Sequence, residues 1–205
     1  PTNSSLASLC SSTKRTVSAP SVGKIATVVP PASQMASSAM KKCAQFLDSM
    51  AMDLADHEYD QSKFEQYILG SAEVVGLMCL YVFVEGNREK YNALEYFAMR
   101  LGSAFQKINF LRDLQADYKT LGRAYFPGLN VEQFDSTTKT AIERDIEKDF
   151  EDGLKGIKML PKDARFGVYM AYVYYQRLFR KIKALPHHRV LQERIRIPNQ
   201  KKYAL

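Results

Sequence analysis

Apolar residues recur at the spacing of an α-helix through most of the chain from about residue 38 onward. In the first such stretch they are Phe46, Leu47, Met50 and Leu54. Because residues three and four apart share one face of a helix, this periodicity predicts helices at about 38–57, 62–84, 89–120, 136–160 and 162–184. The sequence has no alternating strand pattern and no Asn-Gly hairpin, so the predicted fold class is all-α.

The residues at the ends of these stretches are typical of helix boundaries. Ser62 is followed three residues later by Glu65, which predicts a capping box at the start of the second helix. Asp135 or Ser136 is the predicted cap of the fourth helix. Pro161 separates the fourth helix from the fifth, because proline ends a helix at the residue before it.

Residues 1–42 differ in composition from the rest of the chain. They are rich in Ser, Thr, Ala and Pro, carry basic residues and contain no Asp or Glu. Such composition is typical of a disordered segment or of a transit peptide, which would place the protein in a plastid. We therefore predict a leader over 1–42 and a helical domain over 43–205.

The net charge of +7 does not by itself indicate a nucleic-acid-binding protein. The positive excess lies in residues 1–42 and in the tail from 177 to 202, and the middle of the chain is rich in acids and net negative. We therefore expect no nucleic-acid partner. The basic tail is either a solvated terminus or a contact for anionic lipid, so the expected location is the cytoplasm or the periphery of a membrane.

The three cysteines, Cys10, Cys43 and Cys79, have no paired spacing and no histidine partners. They therefore indicate neither a disulfide framework nor a zinc site. Cys79 lies in an apolar run and is predicted to be a small core residue. That run, 74–84, is too short to span a bilayer, and no transmembrane segment is predicted.

The strongest functional pattern is a polar stripe within the third predicted helix. Asn109, Asp113 and Asp117 are four residues apart, and Gln106 extends the stripe by one turn. Phe105, Ile108, Leu111 and Leu114 form an apolar face of the same helix, so this helix should pack into a core and turn the stripe toward solvent or a cavity. Two carboxylates beside an amide suit Mg²⁺, which prefers oxygen ligands and is often shared with substrate phosphates.

Two arginines frame this stripe, Arg112 within it and Arg123 just after the helix. Guanidinium groups could bind the phosphate oxygens that a metal leaves free. The alternative interpretation is an exposed acidic face with ordinary surface arginines, because aspartates four residues apart are common on solvated helices. Asp56 and Asp60 have the same spacing without an amide or arginine beside them and are interpreted as surface residues.

Two runs of the sequence resemble motifs of one enzyme family. The first is LGSAFQKINFLRD from Leu101 to Asp113, continued through Asp117 to GRAYFP at 122–127. It is similar to the second aspartate-rich motif of squalene and phytoene synthases. The second run, YILGSAEVVGLM at 67–78, resembles the tyrosine-led segment of the same family. The resemblance covers about residues 43–205 and is strongest to bacterial-type phytoene synthases.

The resemblance implies a fold, a reaction and roles for particular residues. The fold would be part of an isoprenoid-synthase-like helical bundle. The metal would be Mg²⁺, with Mn²⁺ as an alternative, bound by Asp113 and Asp117 with Asn109 and Gln106 beside them. Arg112 and Arg123 would contact diphosphate. Tyr67 would lie near the developing carbocation; from the periodicity alone it is a core tyrosine.

The implied reaction is the head-to-head condensation of two geranylgeranyl diphosphates to phytoene. Squalene or dehydrosqualene formation from farnesyl diphosphate is the alternative. The sequence departs from the family pattern at Glu73, where a small residue is common, and in a spacer before Arg123 that is one residue longer. The family's first aspartate-rich motif is absent upstream of Tyr67. The resemblance implies a prenyltransferase, with a catalytically inert helical fragment as the alternative. We therefore expect the chain to be N-terminally incomplete and not to synthesise phytoene on its own.

Overall fold

The computed structural model describes residues 32–54, 59–192 and 195, with side chains from residue 38 onward. The part described contains helices and no β-strand, which confirms the predicted all-α class. The helices are α1 (Ala32–Met52), α2 (Gln61–Ile68), α3 (Val74–Phe83), α4 (Arg88–Leu121), α5 (Ser136–Met159), α6 (Lys162–Lys183) and the short α7 (His187–Val190). A π-helical turn (Leu69–Glu73) joins α2 to α3, and a 3-10 turn (Val131–Gln133) precedes α5.

The first helix begins and ends earlier than the periodicity predicts. It begins at Ala32, inside the segment 1–42 assigned to a leader, and it ends at Met52 rather than near residue 57. Residues 1–31 lie outside the described part of the chain, so a leader over those residues stays a prediction. Asp56, His57 and Glu58 also lie outside it.

The start of α2 corrects one prediction about capping. The cap is Asp60, whose carboxylate accepts the Lys63 backbone N–H at 2.8 Å, and not Ser62. Asp60 has an extended backbone, which brings its short side chain back over the first turn. The interpretation of Asp60 as a surface residue is correct, because it is exposed and serves the helix end.

The predicted second helix is interrupted by the π-helical turn. The Val74 N–H donates to the Leu69 carbonyl, five residues earlier, so the turn carries one extra residue. Gly70 lies within it, against α1: a Cβ there would be 2.4 Å from the Gln45 carbonyl oxygen and 2.5 Å from Ser49 Cβ. Only glycine permits this approach of the turn to α1.

The longest helix, α4, is the centre of the fold. Its 34 residues span about 51 Å and continue through Gly102 without interruption. It packs against α3 on one side and α5 on the other. Ile108, Leu111 and Leu114 are at most 2% exposed, which confirms that these apolar residues of the helix lie in the core.

The boundaries of α5 and α6 agree closely with the predicted ones. Asp135 caps α5 by accepting the Thr138 N–H at 2.7 Å, and this backbone hydrogen bond lowers the pKa of Asp135. Pro161 ends the connection and α6 begins at Lys162. Because the connection between them is so short, α5 and α6 lie side by side and run in opposite directions.

The continuous helical stretch Gln61–Phe83 is 23 residues long and apolar enough, by length and composition, to cross a membrane. The sequence analysis had predicted no such segment, because it considered only residues 74–84. In the fold, 44% of the most apolar window of this stretch is buried inside the protein.

Candidate functional site

A large apolar cavity lies between α3, α4, α5 and α6. Its volume is about 620 Å³, within the range of small-molecule sites. Small residues form much of its wall: a Cβ at Gly76 would lie 2.8 Å from the Ala98 carbonyl oxygen, and one at Gly102 would lie 2.7 Å from that of Ala72. These glycines let the backbones of α3 and α4 approach each other closely. The larger side chains of the two helices line the cavity on either side of this contact.

One end of the cavity is polar and is formed by the predicted stripe of α4. Gln106 and Asn109 line the cavity there, and Asn109 Nδ2 donates to Gln106 Oε1 at 3.3 Å. The Tyr175 hydroxyl donates to Asn109 Oδ1 at 3.4 Å, and its ring stacks on Phe105 with 4.0 Å between centroids. Ser71 of the π-helical turn lines the cavity as well. We call this end the mouth.

Two tyrosines of α6 lie in different environments. Tyr175 lines the cavity, whereas Tyr172 packs its ring edge-on against Phe150, 5.4 Å away, in the contact between α5 and α6. Tyr169 stacks on Tyr172 and is 46% exposed. The prediction for Cys79 is wrong: it is exposed and lines the cavity, because the apolar run around it borders an open space.

Asp113 and Arg112 bind each other in this structure. The Arg112 Nε donates to Asp113 Oδ1 at 3.0 Å, and Arg112 Nη2 donates to Asp113 Oδ2. This hydrogen bond raises the pKa of Arg112. The two side chains are 22% and 17% exposed, so the pair is half-buried and accessible to a ligand. Asp117, one turn further along the stripe, is half-buried too.

The stripe has the donor chemistry that Mg²⁺ requires. It offers two carboxylates and two amide oxygens along one helix face, all of them hard ligands. Within the described residues, however, no cluster of three or more acids, histidines or cysteines could enclose a metal ion. The donor chemistry of the stripe therefore fits one side of a coordination sphere.

Next to the stripe, Asp53 binds two of the predicted site residues, Tyr67 and Arg123. The Tyr67 hydroxyl donates to Asp53 Oδ2 at 2.8 Å, and the Tyr125 hydroxyl donates to Oδ1 at 3.2 Å. Arg123 Nη2 donates to the Asp53 carbonyl at 2.9 Å, with Nη1 3.6 Å from Oδ1. The sequence analysis missed Asp53, which follows α1 and has no partner at helical spacing.

Tyr67 is held in an aromatic cluster and does not line the cavity. Its ring is 5.6 Å from Phe110 and 5.2 Å from Tyr125, and it is 4% exposed. Burial, and then the hydrogen bond to Asp53, raise the pKa of Tyr67, so it is a neutral phenol. Phe110 follows Asn109 in α4, so Tyr67 lies at the level of the mouth with its hydroxyl directed to Asp53. Its role beside a carbocation stays a prediction.

Glu73, the departure from the family pattern, is buried in an ion-pair network. It is 5% exposed, accepts the Ser103 hydroxyl at 2.6 Å and pairs with Arg100. Arg100 also contacts Asp149 at 3.2 Å, and Lys107 Nζ lies 2.7 Å from Asp149. Burial raises the pKa of Asp149, opposed by Lys107 and Arg100. Glu73 thus links the π-helical turn to α4 directly and, through Arg100, to Asp149 of α5. A small residue at position 73 could not make this link.

The comparison with protein families agrees with this geometry. Residues 5–201 match the model of the squalene/phytoene synthase family, and the chain belongs to that family. Members of the family are prenyltransferases. The family match includes residues 5–42, which the sequence analysis had predicted to be a leader from their composition.

Individual relatives support the same family. The chain is 32% identical over 121 residues to a 15-cis-phytoene synthase of Synechocystis, a match that covers 51% of this chain and 35% of that protein. A squalene synthase from Alicyclobacillus acidocaldarius superposes with a TM-score of 0.59 at 19% identity, covering 70% of this chain and 59% of that one. A dehydrosqualene synthase solved with a ligand gives 0.59 at 21% identity, covering 74% and 62%.

These relatives are longer than the chain described. The chain spans about a third of the phytoene synthase and about three fifths of the two solved structures. At about 20% identity the structural matches show the fold, an isoprenoid-synthase-like helical bundle.

Proposed function

We propose that this protein condenses two geranylgeranyl diphosphates head to head to form phytoene. The family supports the reaction class, and the 32% identical phytoene synthase supports this substrate and product. Farnesyl diphosphate, with squalene or dehydrosqualene as the product, is the alternative substrate, and the names of the two structural neighbours point to it.

The observation that carries the proposal is the apolar cavity, whose mouth is formed by the polar stripe of α4. A prenyl diphosphate is a long apolar chain with a doubly charged head, so its site must have both parts side by side. Gln106 and Asn109 belong to the cavity wall and to the stripe, and Asp113 and Asp117 continue that stripe past the mouth. The chain would lie in the cavity and the head at the stripe.

At the diphosphate end, the Arg112–Asp113 pair supplies both kinds of partner. On binding, Arg112 would turn to the phosphate oxygens, because guanidinium binds phosphate in a bidentate way. Asp113 and Asp117, with Asn109 and Gln106 beside them, would hold Mg²⁺, which would neutralise the charge of the leaving diphosphate. Arg123, bound to Asp53 at the edge of the stripe, would add a second positive charge near the head.

The cavity wall protects the cation that remains when the carbon–oxygen bond breaks. Water would convert that cation to an alcohol, and the apolar lining keeps water away. The rings of Phe105 and Tyr175, stacked at the mouth, present π-electrons to the positive charge. Tyr67 and Tyr125 stay protonated because of burial and Asp53, so neither is an anion that would trap the cation.

The test is product formation by the protein expressed from its native reading frame. It is incubated with Mg²⁺, NADPH as the reductant that squalene formation requires, and either geranylgeranyl or farnesyl diphosphate, and the extracted hydrocarbon is identified by mass and absorbance. We expect phytoene from geranylgeranyl diphosphate, and a loss of about 10²-fold or more in turnover for Asp113→Asn. The exposed Asp48→Asn on α1 is the matched control and should keep full activity.

The outcomes separate the candidate functions. Squalene or dehydrosqualene from farnesyl diphosphate, with no phytoene, would select the alternative substrate. Full turnover by Asp113→Asn would contradict the assignment of the stripe. The 205-residue chain, assayed in parallel, is expected to bind prenyl diphosphate weakly and to form no phytoene, because a single acidic stripe holds the metal loosely.

A further inference from the structure

Helix α6 has a second side that faces away from the cavity. Its cavity side carries Ala164, Val168, Ala171 and Tyr175. Residues two positions further along a helix lie about 200° around its axis, so the residues that follow these four by two positions point away from the cavity. With two neighbours on the same side, they form what we call the outer face: Phe166, Tyr169, Met170, Val173, Arg177 and Arg180.

The first half of the outer face exposes apolar side chains. Phe166 is 73% exposed and Tyr169 is 46% exposed, and Met170 and Val173 next to them are partly buried. Met159, at the end of α5 and just before the turn into α6, is 54% exposed. Single exposed apolar residues are common on proteins, but a group of them on one helix face marks an interaction site.

The second half of the outer face is basic. Arg177 and Arg180 are exposed, and in the part of the chain that the structure describes neither has a carboxylate within ion-pair distance. Residues 164–192 contain six Lys or Arg and no Asp or Glu. Glu147 of α5 pairs with Lys183 at the margin of this face. The exposed aromatic rings are therefore continued along the same helix by positive charge.

This combination complements an anionic lipid surface. Hydrocarbon next to the headgroups accepts aromatic rings, and lipid phosphates accept guanidinium groups. A bilayer offers both along the whole length of a helix that lies flat on it. A covering protein segment would instead need acidic side chains opposite Arg177 and apolar ones opposite Phe166, at a matching spacing.

We propose that the outer face of α6 binds the surface of an anionic bilayer. Phe166 and Tyr169 enter the layer of headgroups, and Arg177 and Arg180 bind lipid phosphates. The inference goes beyond the proposed function and does not rest on it, because it concerns the side of α6 that does not line the cavity. It assigns the basic charge of α6 to lipid rather than to a solvated terminus.

The test is co-sedimentation with lipid vesicles, without substrate or metal. The protein expressed from its native reading frame and the 205-residue chain are compared on vesicles of phosphatidylcholine with phosphatidylglycerol and on vesicles of phosphatidylcholine alone. We expect both proteins to bind the anionic vesicles much more tightly. Added salt should weaken this binding, because it screens exposed charges.

Two variants of the outer face should lose binding. Arg177→Glu combined with Arg180→Glu should weaken it by about 25-fold or more, because each basic side chain at an anionic surface contributes about fivefold. Phe166→Ser should weaken it by about tenfold, because the ring no longer leaves water. Both changes are at exposed positions, and circular dichroism checks that each variant is folded.

Two matched variants elsewhere should keep wild-type binding. Arg88→Glu combined with Lys90→Glu changes the net charge by the same amount, at exposed positions at the start of α4. Leu47→Ser removes an apolar side chain of similar exposure, 64%, from α1.

Several results would overturn the proposal. One is equal binding to both kinds of vesicle, and another is a loss in the matched variants as large as in those of the outer face. A loss from the arginine changes without one from Phe166→Ser would show general attraction of a basic protein. Vesicle binding by the 205-residue chain alone would show that another part of the native protein covers the face. A dimer that Phe166→Ser dissociates, with no vesicle binding, would assign the face to a second copy of the chain.

Discussion

Replacing Asp53 by alanine removes the acceptor that holds two buried phenols. Tyr67 and Tyr125 are 4% and 8% exposed, and both hydroxyls donate to the Asp53 carboxylate, at 2.8 and 3.2 Å. A hydrogen bond to a charged group contributes about 1.5–3 kcal/mol. Because the Asp53 side chain is 33% exposed, water can replace part of each bond, and we expect a total loss of about 2–4 kcal/mol.

The two hydroxyls can be separated by a double-mutant cycle. Tyr67→Phe removes one hydrogen bond and should cost about 1–2 kcal/mol. In the Asp53→Ala background the same change should cost less, because its partner is already gone, giving a coupling of about 1 kcal/mol. The free energy of unfolding is measured by urea titration followed by circular dichroism, with the m-value checked for each variant.

An exposed pair of the same chemistry provides the control. The Tyr96 hydroxyl donates to Asp152 Oδ2 at 2.8 Å, but Tyr96 is 52% exposed. Tyr96→Phe should therefore leave the free energy of unfolding almost unchanged. Additive effects of the Tyr67 and Asp53 changes, or a cost for Asp53→Ala no larger than that of the control, would refute the role of Asp53 as the buried anchor of this cluster.

Further predictions concern the buried tyrosines and the Glu73 network. Burial raises the pKa values of Tyr59, Tyr67 and Tyr125, so above about pH 10 the unfolded chain releases phenol protons that the folded protein retains. Stability should be unaffected by these groups below pH 10 and should fall as the pH rises above it; a free energy of unfolding, from urea titration, that stays constant above pH 10 would contradict this. Glu73→Ala leaves Arg100 and the Ser103 hydroxyl without this acceptor and should lower the free energy of unfolding by about 2–4 kcal/mol. Glu73→Gln keeps an acceptor oxygen and should lower it by about 1 kcal/mol. Urea titration checks both, and equal costs for the two variants would show that the neutral acceptor oxygen kept by Gln contributes nothing to the network.

The features predictable from sequence were those set by local periodicity. Helix geometry alone predicts the polar stripe from Gln106 to Asp117 and the apolar face of the same helix. The sequence therefore predicted both the position of α4 along the chain and the face that packs into the core. The ends of α5 and α6 followed from Asp135 and Pro161, which act on their nearest neighbours.

The features that could not be predicted depend on contacts between distant parts of the chain. Asp53 meets Tyr125 from 72 residues away, and nothing around it in sequence marks it as a partner of phenols. The π-helical turn exists where Gly70 packs on Gln45, a tertiary contact. Cys79 has the apolar neighbours of a core residue, and only the arrangement of four helices shows that they border a cavity.

The central claim is that one prenyl diphosphate lies in this cavity with its head at the aspartate stripe. The most direct test is a crystal structure of the chain with geranylgeranyl thiolodiphosphate and Mn²⁺, which is located by its anomalous scattering. We predict a metal ion bound by Asp113 and Asp117, phosphate oxygens on Arg112, and the hydrocarbon extended along α4 toward Leu94. A hydrocarbon chain outside the cavity, or a metal–diphosphate bound away from the stripe, would contradict the account.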